Sequence, residues 1–164
     1  MASELYVETL KGLTSGANAN KVIIPSGQTL YAPGHVIQVV QTSITTEESF
    51  TSTSFTATAN SVSITPSSAS SKILVTAVVP IQTPASGLIT YTLYRDTTNL
   101  GDASTGFGRF YDSSRDINAV MTYLDSPATT SAITYAVYMK ITENTGYSNI
   151  SGARSSIIVQ EIAG

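Results

Sequence analysis

Apolar and polar residues alternate at a period of two along several short stretches of the chain. The clearest stretch runs from Ile133 to Ile141, where every second residue is apolar or tyrosine and Thr134 and Lys140 lie between them. A period of two sends successive side chains to opposite faces of a β-strand, so that one face meets a core and the other faces outward. The alternation therefore predicts β-strands.

The most regular pair of predicted strands lies near the middle of the chain. Ile73 to Val79 is apolar on both faces apart from Thr76, which is typical of a strand that is covered on both sides. Leu88 to Arg95 alternates, with Tyr91 on one face and Tyr94 on the other. Because a turn separates the two strands, we expect them to form a hairpin, which a second layer of the same chain covers.

Eight strands are predicted after the Pro33-Gly34 pair, at a spacing typical of a sandwich or barrel. They run from Val36 to Ile44, Phe50 to Ala57, Ser61 to Thr65, Ile73 to Val79, Leu88 to Arg95, Ala119 to Leu124, Ile133 to Ile141 and Ser155 to Ile162. This arrangement predicts an all-β fold, an eight-stranded antiparallel jelly-roll sandwich, although an immunoglobulin-like sandwich also accommodates seven or eight strands. The second strand is the weakest, because its Thr-Ser-Thr-Ser run also fits an edge segment with a bulge.

Residues 1–34 do not resemble the globular part of the chain. Their short apolar pieces are separated by glycines and small polar residues, and a single copy buries too little apolar area to offset the entropy of ordering it. We therefore expect residues 1–34 to be an extended attachment arm held by another chain, and residues 35–164 to be the β-sandwich domain. The residues expected to dock against a partner are Leu5, Tyr6, Val7, Val22, Ile23, Ile24 and Leu30.

The composition excludes several classes of partner. Charged residues make up 12% of the chain, the net charge is −3, and the few lysines and arginines are scattered, so no nucleic-acid-binding surface is expected. The chain has no cysteine, which excludes disulfides and thiolate metal sites. It has neither a signal-peptide pattern nor an apolar run of about 18 residues, so we expect synthesis in a cytoplasm, no classical secretion and no membrane span.

Low charge and abundant serine and threonine are typical of an assembly subunit, because few charged groups need solvating when two surfaces meet. Tyrosine, with 9 copies, outnumbers phenylalanine, with 4, and a tyrosine ring suits a surface that is half buried against a neighbour. An ordinary soluble β-sandwich also fits this composition, so that alternative stays open.

The segment from Asn99 to Asn118 is predicted to be a long irregular connection, because several glycines interrupt it. Connections of this length are usually functional or held by a neighbouring chain. Its Arg109, Phe110, Tyr111 and Arg115 are therefore candidate surface or interface residues. They either seal a subunit interface or form a patch that binds a glycan or a protein.

No catalytic or metal-binding motif is evident. The one histidine, His35, has no Gly-x-Ser-x-Gly motif to accompany it, and the adjacent Glu47 and Glu48 point to opposite faces of an extended chain. One histidine without cysteine makes zinc improbable. Calcium remains an alternative without EF-hand spacing, and its candidate ligands are Asp96, Asp102, Asp112, Asp116 and Asp125. We expect no enzymatic activity, no cofactor and no bound metal.

Three phrases of the sequence resemble a family of virion proteins. Residues 5–30 contain Leu-Tyr-Val-Glu-Thr-Leu-Lys-Gly and Val-Ile-Ile-Pro-Ser-Gly-Gln-Thr-Leu. Residues 70–101 contain Ser-Ser-Lys-Ile-Leu-Val and Leu-Tyr-Arg-Asp-Thr-Thr-Asn-Leu-Gly, and residues 155–163 contain Ser-Ile-Ile-Val-Gln-Glu-Ile-Ala. Together they are similar to small β-domain appendage proteins, of the tail-fibre or capsid-decoration type, of tailed bacteriophages, especially those of marine bacteria.

This resemblance implies a homotrimer in the virion, with a jelly-roll head similar to tumour-necrosis-factor-type trimers. It also implies an N-terminal segment that attaches to other virion proteins, of the capsid or of the tail. The long repetitive shaft of a full fibre is missing between Ala32 and His35, so we expect a short fibre, knob or decoration subunit. The alternative is a receptor- or glycan-binding head that acts in host attachment through Arg109 and Tyr111.

Overall fold

A computed structural model of the chain describes residues 14–16, 32–83, 86–111 and 115–164. The globular unit comprises Pro33–Gly164. The arm residues predicted to dock against a partner, from Leu5 to Leu30, lie outside the described residues, and their role stays a prediction. Within the described ranges, no helix is long and apolar enough to cross a membrane.

Nearly all regular structure in the described ranges is β-strand. The strands are β1 (Val36–Ile44), β2 (Glu48–Phe50), β3 (Thr56–Ile64), β4 (Lys72–Thr83), β5 (Leu88–Arg95), β6 (Thr98–Asn99), β7 (Gly108–Tyr111), β8 (Arg115–Asp125), β9 (Ile133–Ile141), β10 (Gly146–Ser148) and β11 (Ser155–Ile162). A single 3-10 turn, Ile150–Gly152, precedes the last strand.

The strands form two antiparallel sheets. In the first sheet the order is β1-β11-β4-β10-β2, and β8 pairs with the other edge of β4. In the second sheet the order is β3-β9-β5-β6, and β7 also pairs with β5. The longer strands therefore lie as β1-β11-β4-β8 in one layer and β3-β9-β5-β7 in the other. This strand order is that of a two-sheet jelly roll, so the predicted all-β jelly-roll sandwich is confirmed.

The predicted number of strands, eight, is wrong, because the described residues form eleven. The bounds predicted for β1, β5, β9 and β11 are confirmed. Residues 51–55, predicted as strand, are irregular, and β3 is one strand with a register shift between Ala57 and Ser61. Four strands, β2, β6, β7 and β10, have no predicted counterpart, because two to four residues are too few to show a period.

The predicted hairpin between Ile73 to Val79 and Leu88 to Arg95 is also wrong. β4 pairs with β8, β10 and β11 in the first sheet, whereas β5 pairs with β6, β7 and β9 in the second. The chain therefore crosses from one layer to the other between β4 and β5. Each strand presents its apolar inner face to the opposite sheet, and its backbone hydrogen bonds go to other strands of its own sheet.

The core fills the space between the two sheets. The first sheet contributes Ile73, Val75, Ala77, Val79, Ile81, Ala119, Met121, Ile157 and Val159, and the second contributes Val62, Ile64, Ile89, Leu93, Ile133, Tyr135, Val137, Met139 and Ile141. All of these residues are buried. Since the inner faces hold the core, the two outer faces are the surfaces on which function is sought.

Candidate functional site

The outer face of the first sheet carries apolar and uncharged side chains in regular rows. The cross-strand register places three rows side by side, Val39-Gln160-Leu74-Leu124, Gln41-Ile158-Thr76-Thr122 and Ser43-Ser156-Val78-Val120. None of these residues is charged. The rows are flanked by Lys72 at one end and Asp116 at the other, both on the same face by register. This surface, with Val36 added, is called the neutral face below.

The most exposed apolar side chains of the neutral face lie on its two outermost strands. Val36 and Val39 on β1 are 47% and 56% exposed, and Val120 and Leu124 on β8 are 57% and 48% exposed. In the described chain, β1 pairs only with β11 and β8 only with β4, so both are edge strands. Exposed apolar side chains that are contiguous, rather than scattered singly, are typical of an interaction surface.

The outer face of the second sheet carries an aromatic cluster, defined by Phe55, Tyr94, Tyr138 and Lys140. The rings of Tyr94 and Tyr138 are stacked, with centroids 3.9 Å apart and an interplanar angle of 21°. Phe55 approaches Tyr94 edge-on at 6.4 Å, and Nζ of Lys140 lies 4.4 Å from the centroid of the Phe55 ring. All four side chains are partly exposed.

Hydroxyl groups adjoin this cluster. Oγ of Ser63 and Oγ1 of Thr134 lie 2.8 Å apart on neighbouring strands and form a hydrogen bond. The backbone N–H of Thr134 donates to Oδ1 of Asp96 over 2.9 Å, which fixes the turn after β5 beside the hydroxyl pair. The outer face of the second sheet therefore combines stacked rings with groups that both donate and accept hydrogen bonds.

Two tyrosines in the sequence are a signal for this cluster. Tyr94 and Tyr138 both occupy outward positions in strands whose alternation is clear, where threonine and alanine are the usual neighbours. Two outward-facing aromatic residues on different strands predict a cluster only once the strands are known to be adjacent. That adjacency follows from the register of β5 and β9, which the sequence alone did not predict.

The candidate residues Arg109, Phe110, Tyr111 and Arg115 lie on edge strands rather than in an irregular connection. The first three belong to β7, where Phe110 packs against the core, Arg109 is exposed and Tyr111 is 67% exposed. Arg115 begins β8 in the other sheet. The prediction that Asn99 to Asn118 is irregular throughout is therefore corrected, while the interface or binding role of these residues stays a prediction.

Several of the acidic residues considered for catalysis or calcium binding accept hydrogen bonds from backbone N–H groups. Glu48 accepts hydrogen bonds from the backbone N–H of Ala59, and Glu47 accepts one from that of Ser151. Oδ1 of Asp102 accepts from the backbone N–H groups of residues 104 and 105 and from the hydroxyl of residue 105. These hydrogen bonds, with a contribution from a nearby arginine, lower the pKa of Asp102 below its usual value.

Of the other candidate calcium ligands, Asp116 lies on β8, Asp125 ends that strand, and Asp112 lies outside the described residues. Across the described ranges, no group of three or more His, Asp or Glu side chains is placed to hold a metal ion. His35 lies directly before β1, where its carbonyl accepts a hydrogen bond from the backbone N–H of Ala163.

One buried ionic network joins the two sheets. The Tyr135 hydroxyl donates to Oδ2 of Asp125 over 2.7 Å, and Nη1 of Arg95 donates to both Asp125 carboxylate oxygens at 2.8 and 2.9 Å. Burial, together with this hydrogen bond, raises the pKa of Tyr135 above its usual value of 10.0. Asp125 and Tyr135 are buried and the Arg95 side chain is 25% exposed, and the network is suited to holding the two sheets together.

A second buried carboxylate, that of Glu161, is also fully engaged. It accepts hydrogen bonds from Nε2 of Gln38 and from the backbone N–H and hydroxyl of Ser67. Burial alone would raise the pKa of Glu161, but these hydrogen bonds outweigh it and the pKa lies below its usual value. The contacts tie the end of β11 to β1 and to the connection before β4.

A groove of about 470 Å³ lies at one end of the neutral face. Its walls are Pro80 of β4, residues 116–118 of β8, and residues 150–153 around the 3-10 turn. Asp116 is the one charged side chain among these lining residues. Asn118 and Ser151 are also polar, and the remaining lining residues are apolar or glycine.

No family model matches the chain, and no curated protein matches it. Among solved structures, that of the infectious bursal disease virus Gx strain is similar at a TM-score of 0.44 and 14% identity, over 88% of this chain and 37% of that chain. The Gt strain of the same virus is similar at a TM-score of 0.45 and 10% identity, over 96% of this chain and 47% of that chain. The chain spans less than half the length of these structures.

Proposed function

We propose that this chain is a non-enzymatic structural protein of a bacteriophage virion. It forms a homotrimeric short fibre, knob or decoration subunit. Residues 1–34 anchor it to other proteins of the capsid or tail, and residues 35–164 form the sandwich that faces outward. The protein is made in the cytoplasm of the host bacterium and acts in the particle.

The observation that carries this proposal is the distribution of apolar side chains on the neutral face. Val36 and Val39 at one margin, and Val120 and Leu124 at the other, are all about half exposed. In a cyclic oligomer one margin of each copy meets the opposite margin of the next copy, which is a heterologous contact. The two apolar margins of the neutral face are suited to this kind of contact. The absence of charge in the rows between the margins reduces the cost of removing this surface from water.

The dimensions of the neutral face are compatible with a stable interface. Four strands about 4.8 Å apart and about nine residues long at ~3.3 Å each cover roughly 600 Å². A standard interface buries about 800 Å² on each partner. Because the neutral face is divided between two neighbours, it supplies part of the required area, and the edges of β1 and β8 supply additional contacts.

The charged groups support a structural role rather than a catalytic one. Glu47, Glu48 and Asp102 each accept hydrogen bonds from backbone N–H groups, and Asp125 is paired with Arg95. A general acid or base needs a carboxyl group that can reach a substrate and exchange a proton with it.

The bacteriophage setting and the threefold symmetry rest on the sequence resemblance to appendage proteins.

The test is the mass of the protein in solution. Light scattering on the full chain at micromolar concentration is expected to give about three times the chain mass of 17.2 kDa. The variant Val120→Glu is expected to lower this mass, because it places a charge in the apolar margin. The control Thr130→Glu adds the same charge at an exposed position outside the neutral face and is expected to leave the mass unchanged. A monomeric wild-type protein would remove the trimer from the proposal.

The arm is tested separately on particles. Virions produced with a chain that lacks residues 1–34 are expected to lose the protein, while circular dichroism of the purified truncated protein shows a β spectrum. Retention of the folded, truncated protein on virions would show that the sandwich, and not the arm, makes the attachment.

The aromatic cluster favours a second role for the same subunit, as a receptor- or glycan-binding head in host attachment. Stacked, partly exposed rings beside hydroxyl groups are suited to a polar ligand that has an apolar face. The predicted residues Arg109 and Tyr111 lie on β7, and β7 and β9 pair with opposite edges of β5. Substituting these two residues therefore tests a candidate site separate from the aromatic cluster.

A further inference from the structure

We infer that the aromatic cluster of Phe55, Tyr94, Tyr138 and Lys140 is a binding site for a neutral sugar ring. The inference rests on the second role proposed above, the glycan-binding head, whose ligand class it names, and it does not depend on the trimer. It rests on the position of the rings, their mutual geometry and the hydroxyl groups beside them.

The position of the two tyrosines creates a step on the sheet surface. Tyr94 pairs with Ala136, and Ala136 pairs with Ser61 on the next strand, so two small side chains extend from the base of the Tyr94 ring. Tyr138 lies two residues beyond Ala136 on the same face and carries the second ring. Ala136 and Ser61 therefore form a low floor beside the stacked rings.

The rings are held in place by one another. Tyr94 and Tyr138 stack at 3.9 Å, and Phe55 closes the end of the stack edge-on at 6.4 Å. The ammonium group of Lys140 lies over Phe55 at 4.4 Å, a cation–π distance that orients the Phe55 ring further. Because neighbouring groups fix the rings, little side-chain entropy is lost when a ligand packs against them.

The floor ends at groups that suit sugar hydroxyls. Ser63 and Thr134 lie two residues from Ser61 and Ala136 along β3 and β9, on the same face. Their hydroxyls each donate and accept hydrogen bonds, and Asp96 beside them has a second carboxylate oxygen, Oδ2, that accepts. A pyranose ring matches this combination of apolar rings and hydroxyl groups, because it has C–H groups on its faces and hydroxyls around its edge.

Charge and size favour a sugar over other ligands. The positive Lys140 lies at one end of the site and the negative Asp96 at the other, so no net charge selects an ionic ligand. The negative face of an aromatic ring attracts the weakly positive C–H groups of a pyranose. Three rings form a surface far smaller than the roughly 800 Å² that one side of a protein–protein interface covers.

The test uses nuclear magnetic resonance of the full-length ¹⁵N-labelled protein. The probes are the methyl glycosides of glucose, galactose, mannose and N-acetylglucosamine, each added to about 20 mM so that a Kd in the millimolar range is detected. At least one glycoside is expected to shift the backbone signals of Tyr94, Thr134 and Tyr138. Shifts confined to β7, or no shift with any glycoside, would overturn the inference.

Substitutions give the second arm of the test. Tyr138→Ala is expected to weaken binding at least tenfold, and Ser63→Ala is expected to weaken it by a smaller factor. Tyr123→Ala removes an exposed tyrosine of β8, in the other sheet and outside both candidate sites, and is expected to leave the affinity unchanged. If Tyr138→Ala disturbs the fold, the milder Tyr138→Leu removes the aromatic face while keeping an apolar side chain.

Loss of binding in Tyr111→Ala with full binding in Tyr138→Leu would contradict the assignment. If none of the glycosides binds but a peptide of another virion protein does, the cluster is a protein interface. Light scattering on the same samples tests the proposed oligomer independently of sugar binding. Tyr138→Leu is expected to leave the oligomer mass unchanged.

Discussion

The hydroxyl of Tyr135 donates a hydrogen bond of 2.7 Å to the carboxylate of Asp125 across the interior of the sandwich. Tyr135 belongs to β9 in the second sheet, and Asp125 is the last residue of β8 in the first. Arg95 of β5 completes the network through the same carboxylate. A polar contact of this kind restricts how the two sheets are placed on each other, because a shifted sheet would leave a buried group unpaired.

Removing the tyrosine hydroxyl is expected to destabilise the sandwich. Tyr135→Phe keeps the ring in the core but deprives the buried carboxylate of one donor, and we expect the free energy of unfolding to fall by about 1–3 kcal/mol. Urea denaturation followed by circular dichroism measures the change. The control Tyr138→Phe removes a hydroxyl from a partly exposed ring and is expected to change stability by less than about 0.5 kcal/mol. Equal losses in both variants would show that the buried hydrogen bond contributes nothing specific.

The low pKa of Glu161 predicts a loss of stability in acid. A carboxyl group whose pKa is lower in the folded state stabilises the protein above its unfolded value, near 4.5, and this contribution disappears as the pH falls through the folded value. Glu161→Gln is therefore expected to flatten the decline in stability between about pH 5 and pH 3. Urea midpoints measured across that range test it.

The control for this prediction is Glu143→Gln. Glu143 is exposed, so this variant changes the net charge by the same amount without removing a buried carboxylate. A decline that is flattened equally by both substitutions would assign the acid sensitivity to net charge rather than to the contacts of Glu161.

Gly106 is expected to tolerate no side chain. Its φ is +57°, and a Cβ atom there would lie 2.3 Å from the carbonyl oxygen of Tyr91. Gly106→Ala therefore adds a backbone clash to the cost of about 1 kcal/mol for a left-handed residue, and we expect a loss of about 2 kcal/mol or more. Thermal denaturation measures it. Gly152→Ala has a similar φ of +75° but meets nothing closer than 3.8 Å, so it is expected to lose only about 1 kcal/mol. A smaller loss at Gly106 than at Gly152 would contradict the close approach.

The two outer faces divide the proposed roles between them. The neutral face lacks both charge and ring clusters, which suits burial against another copy of the chain. The aromatic cluster lies on the opposite layer, so burial of the neutral face leaves the rings accessible. A subunit organised in this way joins its neighbours through one sheet and presents the other sheet outward.

Two glycines explain why strands β7 and β10 were not predicted from the sequence. Gly108 in β7 and Gly146 in β10 suggest flexible connections when read along the chain. In the structure the ring of Tyr91 covers Gly108 and the ring of Phe50 covers Gly146, and a Cβ at either position would lie 2.5 Å from a ring atom or its hydroxyl. These glycines are required by close packing inside a sheet, and the residues that require them are distant in sequence.

The alternation of residues in β1, β5, β9 and β11 was sufficient to predict the bounds of these strands and an all-β sandwich. The reason is local, because a period of two determines which side chains share a face whatever the strand pairs with. In β5, for example, Ile89, Leu93 and the Tyr94 ring lie on the faces that the sequence predicts.

Only the tertiary structure decided which strands are neighbours. β4 and β5 follow each other in the chain and lie in opposite sheets, while Tyr94 and Tyr138 are far apart in the chain and stack on one face. Partner choice depends on how two apolar inner faces cover each other, and that is a property of the whole core rather than of any segment. The neutral face and the aromatic cluster both arise from this long-range register, so neither was visible in the sequence.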